Sequence, residues 1–378
     1  MSETPPISGT VAPGFEPVRE AFERNWQDFD EVGAAFTVMR GGETLVDLRG
    51  GWTDRKKSAE WQDDTLVAVF STGKAVTALV MAWLVERGLV DYDAPIADYW
   101  PEFAANGKAG ITVGDALSHQ TGLPGFPDEM DASDWFDREA IEARLAAQAP
   151  MWDLSKGGSG YQPLIFGFLA DAIARRTDGR TIGGLLREEI AGPRGIDFHI
   201  GTPKALHERV SAHMLPPRAP DLGTINEYNT AAFLKPWSTP GRKGAEAWRE
   251  AEFPAANGHG TARAIATLMG TFANKGYLQN KSIVSDRVIE TAMRPRVSGP
   301  DRVLPFDLSI GAGVMINAAS GFYGPEPKTV GHYGFGGSCG FADPVRGLSG
   351  SYVMNRQLPT LAGDPRAVRL IEAVYACL

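Results

Sequence analysis

Cysteine is scarce: only Cys339 and Cys377 occur in 378 residues. A framework of stabilising disulfides is therefore excluded, and at most one bridge can form. Long apolar runs are missing as well. The longest, residues 75–85, is interrupted by Thr77 and is too short to span a bilayer. Positive charge is in deficit, with 37 Lys and Arg against 46 Asp and Glu and a formal net charge of −9. An acidic surface repels phosphate backbones and anionic membranes, which argues against a nucleic-acid or membrane partner. The opening MSETPPISGT has neither the basic start nor the apolar core of a secretion signal, so the expected location is cytoplasmic. No period of about 20 to 50 residues recurs, which argues against a solenoid or propeller. No histidine pair has zinc-site spacing and no phosphate loop occurs, so no metal and no cofactor are expected.

What is present is an ordinary globular composition, 43% hydrophobic and 22% charged. Val18, Phe22 and Trp26 recur at helical spacing and predict a helix over 16–26, after an extended arm of about ten residues. Two β-rich runs, 34–40 and 44–49, flank Gly41-Gly42-Glu43 and read as a hairpin. A short apolar run over 66–70 leads into a helical pattern over 72–87 that Gly88 stops. Further helices are predicted over 135–148, 163–177, 182–191, 261–274 and 285–293, with Pro163 suited to a first turn. Residues 215–260, rich in Pro, Gly and Asn and holding Trp237 and Trp248, read as a long packed loop region. Strand character returns over 310–318, 329–333, 338–343 and 348–354, before a last helix over 366–376. Strands at both ends with helices between predict an α+β fold. One antiparallel sheet is built from both chain ends and covered by terminal helices. On this reading 1–70 and 255–378 form an α/β lobe, 71–254 a mainly helical lobe, and the cleft between them is the ligand site.

Two serine motifs compete. Gly336-Gly337-Ser338-Cys339-Gly340 matches G-x-S-x-G, the nucleophile elbow that needs strand, sharp turn and helix, with a histidine later in the chain. The six histidines are His119, His199, His207, His213, His259 and His332, and none follows Ser338. The residues after Ser338 read as strand, so both requirements fail. The second motif is Ser71-Thr72-Gly73-Lys74. With Ser71 at a helix start, Lys74 lies one turn later on the same face, where its amine reaches the hydroxyl. The following AVTALVMAWLV is apolar almost all round and should be buried. Burial lowers a lysine pKa and makes the amine a usable base. Four residues alone are also compatible with an ordinary serine N-cap and a solvated lysine.

The surrounding segments decide between these. Val69-Phe70-Ser71-Thr72-Gly73-Lys74, then Gly88-Leu89-Val90-Asp91, resembles the serine β-lactamase and penicillin-binding superfamily, and within it the class C β-lactamase-like esterases called family VIII carboxylesterases. Leu117-Ser118-His119-Gln120-Thr121-Gly122-Leu123-Pro124 is similar to that family's L-x-H-x-T-G-L segment. Gly160-Tyr161-Gln162-Pro163 falls where the family has its tyrosine. Gly331-His332-Tyr333-Gly334-Phe335-Gly336-Gly337-Ser338 stands at the third motif. The resemblance implies a β-lactamase-like fold and a serine esterase. It makes Ser71 the nucleophile, Lys74 its base or proton relay, and Tyr161 a partner in proton transfer whose pKa a nearby Lys74 ammonium would lower. It also implies an oxyanion hole from the backbone N–H groups of Ser71 and Phe335, and a substrate cleft at His332, Tyr333 and Gly334. From the residues themselves, Trp237, Trp248 and Phe335 are candidates to line an apolar acyl or alcohol pocket of that cleft.

The departures point to the substrate. The second motif ends in Pro163 where β-lactam-acting relatives carry an asparagine, so that contact to the β-lactam amide is missing. At the third motif His332 stands where a lysine commonly helps hold the β-lactam carboxylate. Lys328-Thr329-Val330 lies four residues upstream of the required register. These changes favour hydrolysis of neutral, short-chain carboxylic esters through an acyl-enzyme. A β-lactamase or D-amino-acid peptidase or amidase is the second reading, and a non-catalytic acyl-binding scaffold the third. The expected partner is a small-molecule ester; the oligomeric state is left open.

Overall fold

Both ends of the chain feed one sheet of nine antiparallel strands. The computed structural model describes residues 5–240 and 244–378. The strand order across the sheet is Ile7–Val11, Glu43–Gly51, Gly33–Arg40, Leu348–Met354, Cys339–Asp343, Val330–Tyr333, Met315–Ile316, Asp307–Ile310 and Val297–Pro300. The join between the two ends lies between the third and fourth strands of this order, where Leu348 pairs with Arg40 and Met354 with Ala34.

Side-chain alternation along these strands divides the core in two. Ala34, Phe36, Val38 and Phe341 face a cluster shared with Val18 and Phe22 of helix Glu16–Asp28 and Leu370 and Ile371 of helix Pro365–Ala376. Ala35 and Ala342 face the opposite cluster, which holds helix Ala262–Ala273 and the helical middle of the chain. That helix crosses the central strands closely because Gly340 has no Cβ; one placed there would lie 2.9 Å from Ile265 Cγ2. At the heart of the second cluster runs helix Gly73–Glu86, buried continuously from Gly73 to Leu84. Gly88, at φ 68°, ends it.

Several local expectations need correction. The arm is a strand: Ile7–Val11 pairs with Glu43–Gly51, its alternation blurred by Gly9 and by its position at the sheet edge. Residues 1–4 of that arm lie outside the described residues. The run 310–318 is two strands, because Gly313 at φ 91° turns the chain and brings Ile310 opposite Met315. Val297–Pro300 adds an edge strand that its exposed Ser298 and Pro300 and its Gly299 hid. Of 66–70 only Val67–Ala68 is extended, in a separate three-stranded sheet with His259–Gly260 and Phe198–His199. The predicted 135–148 helix breaks at Asp137, whose carboxylate caps Arg138–Ala147. The 182–191 helix widens into a π-turn over Leu186–Ala191. The 215–260 region contains short helical pieces, Glu227–Asn229, Thr230–Leu234 and Ala245–Glu250. Among the described residues no helix is long and apolar enough to cross a membrane.

Candidate active site

The small sheet anchors the chain just ahead of Ser71, and Val69 N donates to Gly258 O at 2.9 Å. Phe70 then adopts φ 47°, a left-handed conformation that a non-glycine residue holds at a cost of about 1–3 kcal/mol. The tight turn Phe70–Thr72 delivers Ser71 to the N-terminal end of helix Gly73–Glu86. Because that helix is apolar on all sides, Lys74 is carried into the interior with it, fully shielded from solvent.

Lys74 Nζ lies 3.1 Å from Ser71 Oγ, 2.9 Å from Pro163 O and 3.0 Å from Ala255 O. None of these partners is a carboxylate. Loss of hydration, with no anion to offset it, drives the amine well below the usual lysine range. A neutral amine keeps two N–H bonds for the two carbonyls and turns its lone pair toward the Ser71 hydroxyl. Pro163 thus stands just ahead of helix Ile165–Thr177, not in its first turn, and spends its carbonyl on Lys74.

Tyr161 closes the other side of Ser71, to which its hydroxyl is hydrogen-bonded, and Lys74 Nζ lies 4.9 Å from the centre of its ring. Burial pushes its pKa above the ordinary phenol value; the bond to Ser71 opposes that shift and the Asp301 carboxylate adds to it. This reverses the expected direction. Desolvation dominates the phenol, and the lysine meant to favour phenolate is itself pushed toward neutrality. Two contacts that the sequence did not suggest hold Tyr161 in place. Asp301 Oδ1 accepts from Tyr161 N at 3.1 Å and also from Val303 N and Leu304 N, while Oδ2 accepts from Ser159 Oγ. Gln162, fully buried, donates to Thr121 Oγ1 and Leu123 O, and its own N–H donates to His119 Nδ1 at 3.2 Å. The L-S-H-Q-T-G-L-P segment is therefore the socket of the tyrosine loop.

Histidines stand on either side of the phenol. The His119 ring is 4.7 Å from that of Tyr161, and the His332 ring 6.1 Å. The His332 Nδ1–H donates to Tyr333 O at 2.7 Å, which leaves Nε2 as a bare acceptor, buried and unpartnered among the described residues. Burial, reinforced by Lys74, lowers its pKa to about 3, so it is neutral at working pH. Burial and Lys74 likewise take His119 well below its ordinary value.

The third motif packs against the nucleophile turn. A Cβ on Gly334 would lie 2.1 Å from Val69 O and 2.2 Å from Ser338 Oγ, so only glycine allows this approach. Ser338 is buried, donates to Val69 O at 2.7 Å and shares a 2.9 Å hydrogen bond with Thr72 Oγ1. It is a strut beneath Ser71. From behind, Gln357 Nε2 holds Phe335 O at 3.0 Å and Arg366 Nη2 holds Gly336 O at 2.9 Å, bracing the turn that follows, while Gly337 N donates to Gly334 O at 3.1 Å and holds the peptide that carries the Phe335 N–H. Neither residue stood out in the sequence.

Ser71, Tyr161, Tyr333 and Phe335 share one cavity of about 790 Å³. His332, Gly334 and Trp237 are not among its described lining residues. Trp237 Nε1 instead donates to Phe126 O, its carbonyl accepts from Trp135 Nε1, and it packs on the helical core. Trp248 takes the position on the cavity wall. Elsewhere, His207, Glu246 and Glu250 bring ligand atoms within 4.8 Å of one another, but both acids are exposed and Glu246 already pairs with Lys204.

Residues 18–374 match the family described as Beta-lactamase. The chain is 36% identical to the "Esterase/beta-lactamase LipL" of Mycobacterium tuberculosis, over 94% of this chain and 84% of that protein. A solved penicillin-binding protein homologue from Caulobacter crescentus superposes with a TM-score of 0.96 at 51% identity, over 99% of this chain and all of that one. A solved family VIII carboxylesterase gives 0.92 at 40% identity, over 99% of this chain and 100% of that one. With Ser71, Lys74 and Tyr161 assembled on this fold, the chain belongs to the β-lactamase family and is a serine hydrolase.

Proposed function

We propose that this protein hydrolyses neutral carboxylic esters, short-chain ones among them, through an acyl-enzyme on Ser71. The observation that carries the proposal is the setting of Lys74, buried with no carboxylate and 3.1 Å from the nucleophile. The neutral amine takes the Ser71 proton as Oγ attacks the ester carbonyl. Negative charge collects on the carbonyl oxygen, where the N–H groups of Ser71 and Phe335 receive it. The tetrahedral intermediate collapses, and the alkoxide leaves with a proton from the Tyr161 phenol, which regains one from the Lys74 ammonium. Water then attacks the acyl-enzyme by the same route in reverse. The name of the family VIII carboxylesterase supports the ester reading, and that of LipL, esterase/beta-lactamase, is compatible with it. A neutral His332 and the donor-less Pro163 speak against a site built for an anionic β-lactam.

The test compares p-nitrophenyl acetate and butyrate with nitrocefin, for the parent and Ser71→Ala, and maps the serine labelled by a fluorophosphonate. Esters should turn over in preference to nitrocefin, and Ser71→Ala should lose at least about 10³-fold in kcat. Predominant nitrocefin turnover would replace the proposal with the β-lactamase reading, and a single burst without turnover with the scaffold reading. Label on Ser338 would refute the choice of nucleophile.

A further inference from the structure

The geometry points to esters bearing a large, uncharged apolar group as the substrate class, a refinement that rests on the ester-hydrolase reading above. The cavity at Ser71 measures about 790 Å³. That lies in the upper part of the roughly 300–1,000 Å³ range of sites that enclose drug-sized molecules. An acetyl or butyryl group would leave most of it unfilled.

Its walls define what the rest is suited to hold. Leu164, Phe233, Trp248, Leu304 and Met315 supply apolar surface, and Leu234 continues it to the rim, where it is 49% exposed. The Trp248 indole is held rigidly, stacked on Phe253 with centroids 4.9 Å apart. Two hydroxyls of the wall are already engaged. Ser238 Oγ donates to Ala231 O, and the Tyr333 hydroxyl turns away to Phe322 O. Among the described residues no carboxylate, ammonium or guanidinium lines the cavity. A charged substituent entering it would lose hydration and meet no opposite charge among the described lining residues. Each methylene buried there instead favours binding by about 0.8 kcal/mol, or roughly fourfold.

The experiment measures kcat/KM along two series, p-nitrophenyl acetate to octanoate and ethyl to octyl acetate, below the micellar concentration, with Ser71→Ala as blank. In at least one series the value should rise tenfold or more from the four-carbon or two-carbon member to the eight-carbon one. In whichever series rises, the terminal-carboxylate counterpart of its eight-carbon member, mono-p-nitrophenyl suberate or 8-acetoxyoctanoate, should react at least tenfold more slowly than that member. In Leu234→Asp the ratio of the eight-carbon to the shortest member of that series should fall at least fivefold. Flat or declining profiles in both series, equal rates for the charged and uncharged eight-carbon esters, or an unchanged ratio in Leu234→Asp would each overturn the inference. Turnover of acetate with a flat profile removes this inference alone. Absence of any ester turnover removes the ester reading with it.

Discussion

Lys74 and Arg366 are both sealed from solvent, yet their surroundings are opposite. Arg366 sits between two carboxylates: Nη1 is 3.0 Å from Glu31, while Nε and Nη2 grip Asp364 at 3.0 Å. Burial opposes its charge, but Glu31, Tyr352 and Asp364 outweigh it and hold its pKa above the ordinary value. Lys74 meets two carbonyls and a hydroxyl, and burial acts on it unopposed. The first cation is locked in its charged state and serves as architecture, bracing the Phe335–Gly336 turn from behind. The second is pushed toward its neutral form, as the proposed role of base requires. Lys108 shows that a carbonyl cage alone is not enough. It donates to Ala105 O, Ala146 O and Gln148 O, and burial lowers its pKa too, but those recorded partners include no hydroxyl to activate. Pairing decides whether a buried cation stays charged, and its neighbour decides whether losing the charge is useful.

The sharpest way to break this contrast is to replace each cation by methionine. Lys74→Met should lower kcat by about 10³-fold or more, as expected when a nucleophile loses its base. Its stability should stay within about 2 kcal/mol of the parent, because relief from burying an amine offsets the two orphaned carbonyls. Arg366→Met should be destabilised by about 3–5 kcal/mol, since Glu31 and Asp364 are left buried without a counter-charge. Urea denaturation and p-nitrophenyl acetate turnover measured on both variants separate the two roles. A Lys74→Met protein that unfolds as readily as Arg366→Met would mean that Lys74 is structural as well.

The next effect is smaller and concerns which group is the base. A base works when deprotonated, so activity should rise as pH climbs through the lowered pKa of Lys74 and remain full above it. Tyr161, whose pKa burial raises, stays a phenol across that range and should contribute no limb below about pH 10. Tyr161→Phe should therefore lower kcat by roughly 10²-fold while leaving the midpoint of the rising limb in place. A midpoint displaced by more than one pH unit in Tyr161→Phe would make the phenol the titrating base.

The contact between Ser71 and Lys74 was legible because it is local: the two lie one turn apart at the start of a helix whose apolar composition announces its burial. The central sheet was legible for a similar reason, since strand-like runs cluster at the two chain ends. What escaped depends on partners far apart in the chain. Asp301 grips a tyrosine loop 140 residues away, and Gln357 and Arg366 reach back to Phe335 and Gly336 from beyond the last strand. Trp237 was assigned to the cleft because an aromatic in a loop region is a reasonable wall, yet loop composition cannot tell which of two nearby tryptophans faces inward. The phenol pKa was misjudged because a sequence shows that a lysine is near but not that both groups are dry.

Ser338 offers the mildest test, because it puts a motif-like serine beside the proposed nucleophile. Its hydroxyl ties the third motif to Val69 O and Thr72 Oγ1, so it acts on Ser71 only through the turn that carries it. Ser338→Ala should lose about 1–2 kcal/mol of stability, the net worth of one or two hydrogen bonds. The kcat/KM of the variant should stay within about tenfold of the parent, a change below about 1.4 kcal/mol at the transition state. The pH midpoint should not move, since Lys74 keeps every contact it has. A dead but folded Ser338→Ala would instead transfer the chemistry from the helix turn to the strand. The contrast would then lose its meaning, because the buried amine would have no nucleophile to serve.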